Sequence, residues 1–167
     1  MSATQASAPG KIILFGEHAV VYGQPALAAP VTQVQATATL TPLPPSPTGR
    51  GGRSESIWID ARDVGRRYRL EDAPPDDPLA AAIRLTFTNL QLRISNYVLQ
   101  ITLTSSIPVA SGLGSGAAVC TALVRALANY LNHPMTNAEV SSIVFETEKL
   151  LHGTPSGIDN TVIAYGQ

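Results

Sequence analysis

Ile107-Pro-Val-Ala-Ser-Gly-Leu-Gly-Ser-Gly-Ala-Ala118 is the stretch on which the reading of this chain turns. Gly112, Gly114 and Gly116 fall within five positions, with Ser111 and Ser115 beside them. Upstream, Leu99, Ile101 and Leu103 alternate with Gln100, Thr102 and Thr104, the period-two pattern of a half-buried strand. Downstream, residues 117–131 are helix formers, with Thr121, Arg125 and Asn129 spaced as a narrow wet stripe on an otherwise apolar helix. Glycine tolerates positive φ and close backbone approach, so a strand, glycine loop and helix in this order expose bare N–H groups. The positive end of the helix then suits a phosphate. A tight turn into a helix uses the same residues, and the loop alone does not separate the two.

Toward the N-terminus, residues 1–8 are a small-residue lead-in and Ile12 to Phe15 predicts a short apolar strand. Gly16-Glu17-His18 breaks it, and Ala19 to Tyr22 is apolar again. Glu17 and His18 wedged between buried-looking segments call for a partner or a role, because unpaired buried charge is costly. Val34, Ala36, Ala38 and Leu40 alternate with polar residues as a second clear strand. Pro42 to Ser56, dense in Pro, Gly, Ser and Arg, predicts an exposed loop. Residues 57–60 and 67–70 predict a short hairpin or edge strands, and residues 72–78 a turn. Leu79, Ile83, Phe87, Leu90 and Ile94 then share one face of a helix over 79–94.

Beyond the loop and its helix, His133-Pro134 is a stop, and residues 137–151 form an amphipathic helix. Val140, Ile143, Val144, Thr147 and Leu151 share its apolar face. Glu148 sits at the border, about 80° from Val140 by helical geometry, while Lys149 points to solvent. His152 to Asn160 is a polar turn leading to Thr161–Tyr165. Strands, then helices, without internal repeats or strict alternation, predict an α+β fold: one domain over 1–167, a mixed sheet packed against helices.

With 167 residues, 44% hydrophobic and 14% charged, the chain can bury a core. Its mean hydropathy is +0.11. A net charge of −1 gives no electrostatic footprint for nucleic acid or an anionic membrane. No apolar run reaches the roughly 18 residues of a membrane span, and a reducing cytoplasm is the default location. The single cysteine, Cys120, excludes an internal disulfide and reads as a core thiol.

The loop fails the common fingerprints. It lacks the lysine of a Walker A loop, is one residue short of the dinucleotide pattern, and offers no Gly-x-Ser-x-Gly elbow. Taken jointly, three blocks are specific: Pro9-Gly-Lys-Ile-Ile-Leu-Phe-Gly-Glu-His-Ala-Val-Val-Tyr-Gly23, Ile107 to Ala118, and Glu148-Lys-Leu-Leu-His-Gly-Thr-Pro-Ser-Gly-Ile-Asp-Asn160. In this order they resemble the GHMP small-molecule kinases, and within them the branch that phosphorylates mevalonate.

The resemblance implies ATP and Mg²⁺ as cofactors and mevalonate as the small-molecule substrate. It implies that Pro108, Ser111, Gly112, Leu113, Gly114, Ser115, Gly116, Ala117 and Ala118 wrap the ATP phosphates, and that Glu148 with Ser115 holds the metal. Asp159 corresponds to the catalytic base and Lys11 to the lysine beside the reacting hydroxyl; Glu17, His18, Ser156 and Gly157 join them around the substrate. The family loop often reads Gly-Leu-Gly-Ser-Ser-Ala-Ala, whereas this chain has Gly116 at the second serine. The resemblance also implies a chain about twice as long, so this one corresponds to an N-terminal portion whose partner is a C-terminal half or a second copy. Another kinase of the superfamily, acting on phosphomevalonate or homoserine, and a non-catalytic nucleotide-binding or assembly module are the alternatives.

Overall fold

The computed structural model describes residues 3–44 and 57–166, so most of the expected 42–56 loop lies outside the described residues. Five strands, β1 (Thr4–Phe15), β2 (Leu27–Pro42), β3 (Ile57–Ala61), β4 (Arg66–Arg69) and β5 (Leu99–Ser105), form one sheet in the order β1-β2-β5-β3-β4. Only the β3–β5 pair is parallel, which makes the sheet mixed. Four helices, α1 (Pro78–Asn89), α2 (Ser115–Tyr130), α3 (Asn137–His152) and α4 (Ile158–Tyr165), complete the α+β architecture.

Register places the apolar residues of neighbouring strands side by side. Ala38 pairs with Leu103, Leu40 with Ile101, and Ile59 with Ile101 from the other side. All five are buried against the helices. Ala36 and Ala38 face a helix whose inner residues include Ala117, Ala118, Ala122 and Ala126. Small side chains on both surfaces let α2 lie close to β1 and β2, and that brings the glycine loop against the sheet.

β1 begins at Thr4 rather than Ile12, because pairing from Thr4↔Leu40 to Phe15↔Leu27 makes a strand of a segment that has no alternation of its own. The far end of this hairpin projects past the helices, leaving Phe15 and Tyr22 exposed where burial was expected. β3 and β4 pair antiparallel across residues 62–65, the hairpin expected there; β3 is internal and β4 is an edge strand that ends at Arg69, where Leu70 opens a 3₁₀ turn.

The helix expected over 79–94 stops at Asn89. Gln91 takes φ 55° and the Leu92 N–H donates to Phe87 O at 2.9 Å, which reverses the chain and returns Leu92 and Ile94 to the core outside the helix. Its start follows sequence logic: the Asp77 side chain accepts from the Ala80 N–H at 2.9 Å, ahead of Pro78. α3 starts with a reciprocal capping box between Thr136 and Glu139.

Thr121 is buried rather than on a wet stripe, because the sheet, α1 and α3 enclose α2. Leu151, expected on the apolar face, is 48% exposed. Ile158 to Asn160, expected as the end of a turn, instead open a helix that runs to Tyr165. Cys120 is buried, and burial pushes its thiol up to about 12, as a core thiol requires.

Among the described residues Phe87 is the largest fully buried side chain, and its ring meets Tyr97 at a 56° tilt with centroids 5.2 Å apart. Phe87→Ala is therefore expected to destabilise the chain by about 3–5 kcal/mol, read from urea denaturation midpoints at unchanged slope.

Candidate active site

β1, the glycine loop, α3 and α4 meet at one place. From β1, Lys11 arrives with 6% exposure, and its Nζ lies 3.0 Å from Oδ1 of Asp159 in the first turn of α4. An ammonium withdrawn from water needs a counter-charge, and Asp159 supplies it. The loop is fastened to the same spot, for the Lys11 N–H donates to Leu113 O at 3.0 Å. Gly114, at φ 68°, passes so near that a Cβ there would sit 3.0 Å from Lys11 Cγ and 3.2 Å from Asp159 Oδ2.

Within the loop, positive φ recurs at Ala110, Gly112 and Gly114 with ordinary residues between them, an alternation that turns successive N–H groups into one concavity. The Ser111 hydroxyl donates to Pro108 O at 2.7 Å and closes the turn. Gly114 then caps α2 without a side-chain partner, so the N–H groups of the first helical turn are free to meet an anion. Ala117 and Ala118 point into the core; the Ala117 backbone can face a ligand, but the Ala118 N–H, expected at the phosphates, donates to Gly114 O at 2.9 Å as the first bond of the helix.

Behind the loop stands Glu148, 4% exposed, whose Oε1 has no hydrogen-bond partner. Burial holds its carboxyl above the usual glutamate range; His152 opposes that shift, the Asp159 charge adds to it, and Lys11 opposes it again. A Cβ on Gly116 would lie 3.6 Å from that orphaned Oε1, an ordinary contact. Gly116 is thus the loop position beside Glu148, and Ser115 and Gly116 both line an apolar pocket.

A cleft of about 260 Å³ opens beside these groups. Of the residues singled out from sequence, Lys11, Glu17, Glu148, Ser156, Gly157 and Asp159 line it; His18 is exposed and does not. His152, Thr154 and Asn160 also line it and carried no role from sequence. His152 had a legible signal, standing four residues after Glu148, and its Nε2 lies 3.6 Å from Glu148 Oε2. On the other side of the loop, an apolar pocket of about 180 Å³ is walled by Val64, Leu79, Leu103, Ile107 and Val109. Among the described residues no group of three or more His, Cys, Asp or Glu side chains forms a metal cluster.

The sequence pattern of the GHMP kinases N terminal domain matches residues 79–167, more than half of the chain. The chain belongs to the GHMP kinase family. This GHMP kinase domain is 34% identical over 177 aligned residues to the mevalonate kinase of Pyrococcus furiosus, covering 96% of the chain and 49% of that relative. It also resembles the crystal structure of L. major mevalonate kinase in complex with R-mevalonate, with TM-score 0.69, 29% identity, and coverage of 97% of the chain and 46% of that protein. Methanococcus jannaschii mevalonate kinase has TM-score 0.81 at 23% identity over 98% of the chain and 51% of its own, a likeness of fold alone. The chain spans about half the length of the curated relatives it matches.

Because burial disfavours the ionised form of Glu148, its folded-state pKa exceeds the unfolded one. Ionisation therefore removes stability as pH rises from the ordinary value of 4.5 through the raised one, and below 4.5 that loss disappears. Glu148→Gln is expected to be more stable than the parent at neutral pH, with the gain shrinking toward zero under acid. Urea denaturation at both pH values checks this.

Proposed function

We propose that this chain forms the nucleotide- and acceptor-binding part of an enzyme that transfers the γ-phosphoryl group of ATP to the primary hydroxyl of mevalonate, in isoprenoid synthesis in the cytoplasm. The observation that carries the reading is the Lys11–Asp159 pair clasped by Gly114, which sets an acid–base pair and an anion-binding loop within contact distance. Phosphoryl transfer asks a protein for positioning and charge neutralisation rather than covalent chemistry, and those are what these residues offer.

Asp159 Oδ1 is occupied by Lys11, leaving Oδ2, on the loop side, to take the proton of the attacking hydroxyl. A carboxylate is a weak base for an alcohol. The Lys11 ammonium supports the step by favouring the developing alkoxide. Backbone N–H groups of 111–117, with Pro108 shaping the approach, hold the phosphates, and the apolar pocket beyond Ser115 is of the right character for the base. Glu17, Ser156 and Gly157 flank the acceptor, with His18 at the outer end of the same turn.

The orphaned Oε1 of buried Glu148, facing the loop, would suit one protein ligand of a Mg²⁺ ion, a cation that takes few carboxylates and keeps several waters. Ser115 is the hydroxyl the loop retains. When bound, the ion supplies charge neutralisation on the phosphates.

Two outcomes check the reading. Lys11→Met and Asp159→Asn are each expected to lower ATP-dependent phosphorylation of mevalonate by about a hundredfold or more. Losses below tenfold in both would remove the assigned roles, and equal turnover of homoserine or phosphomevalonate would remove the acceptor. Gly116→Ser has room, with 3.5 Å to Leu151 Cδ1 and 3.6 Å to Glu148 Oε1. It is expected to tighten Mg-ATP binding while leaving metal-free ATP binding unchanged, as read by calorimetry with and without EDTA.

A further inference from the structure

We infer that Asn160 is a positioning residue, whose buried amide locks the helix carrying Asp159 onto the helix carrying Glu148. The inference rests on the functional reading above, because the two carboxylates need a fixed relation only if they serve one reaction.

Asn160 follows Asp159 in the first turn of α4 and is 5% exposed. Its Nδ2 donates to the Ser141 hydroxyl at 2.9 Å and to the Ser141 carbonyl at 3.2 Å. Ser141 lies in α3, itself 8% exposed, two turns before Glu148 and on the same helical face. One side chain thus connects the backbone next to Asp159 with the face that presents Glu148.

Asparagine suits the position for a chemical reason. The Ser141 carbonyl can only accept, so the side chain must present an NH₂ group, and this settles the amide orientation. Oδ1 is then left without a protein partner. Aspartate has nearly the same shape but would set acceptor against acceptor.

Nothing within α4 does this work. Its N-cap is Gly157, left-handed and without a side-chain cap; besides the Lys11–Asp159 pair, the first turn has only a long bond from the Ile158 N–H to Ser156 Oγ at 3.4 Å, which ties it to its own turn and not to α3. The far end is tied separately, where Arg125 Nη2 donates to Ala164 O at 2.6 Å and to Asn137 Oδ1 at 2.8 Å. That second tie lies more than a turn past Asp159.

The test reads the site without turnover. Lys11 is nearly buried against Asp159, so its rate of acylation, resolved by peptide mass spectrometry, reports whether α4 keeps Asp159 in place. Asn160→Asp is expected to raise that rate about tenfold, a factor within reach of one lost buried hydrogen bond. Asn160→Ala, which adds no charge, should do the same and serves if the aspartate variant does not fold. Arg125→Met should speed hydrogen exchange at Ala164 and Tyr165 but leave Lys11 acylation within about twofold, as should the core control Ile83→Val.

Unchanged Lys11 protection in both Asn160 variants overturns the inference. So does equal deprotection by Arg125→Met or Ile83→Val, which would mark the effect as general loosening. Failure of the parent chain to bind Mg-ATP or mevalonate would strike at the functional reading instead, because the acylation rates do not depend on it.

Discussion

Lys11 is the constraint around which this molecule is arranged. Its ammonium is drawn out of water by the sheet and helices, and a charge in that position needs an opposite charge beside it. The partner comes from the other end of the chain, since Asp159 stands 148 positions further on. Bringing the two together requires β1 in the sheet, α2 laid closely upon it, and α3 and α4 packed on α2 in turn. The alanine-rich contact between α2 and the strands sets how near these layers come. Larger residues there would lift the glycine loop away from Lys11 and Asp159.

The loop and the ion pair are one device. Gly114 is not simply a flexible point, because its missing side chain is the gap through which Lys11 and Asp159 approach the backbone. Leu113 contributes its carbonyl to the Lys11 amide, and the next residues open α2 with unpartnered donors. A buried cation, a carboxylate and a helix start with spare N–H groups thus converge. In electrostatic terms this convergence supports the proposed reading, a preorganised site for a highly charged anion next to a group able to accept a proton. Glu148, ionisable yet buried with an orphaned oxygen, costs stability when charged, and a cation beside it would relieve that cost.

Much of the fold was legible. Alternation at 34–40 and 99–103 marked the two central strands, whose one buried face imposes a period of two. The helices after the loop showed their apolar faces. Elements whose existence depends on a partner were not visible in this way. β1 from Thr4 to Pro9 is a strand only because β2 pairs with it, and α1 ends early because Gln91 turns the chain back into the core. At the site, Lys11, Glu148 and Asp159 were identified through motif resemblance, whereas Asn160 was quoted and given no role. Its importance is a contact with Ser141, and nothing local to either residue announces that.

By itself, then, the sequence determined the strand–loop–helix at 107–118, the α+β class, and three blocks of residues specific enough to indicate a kinase family. Local chemistry sufficed because glycine spacing, alternation and capping act over a few residues. Only the tertiary structure decided that Lys11 and Asp159 pair, that Gly116 lies beside Glu148, that His18 stands outside the cleft, and that α4 is pinned to α3. Those facts follow from burial and from distances between segments far apart in the chain. They depend on how the layers pack, which no local pattern encodes.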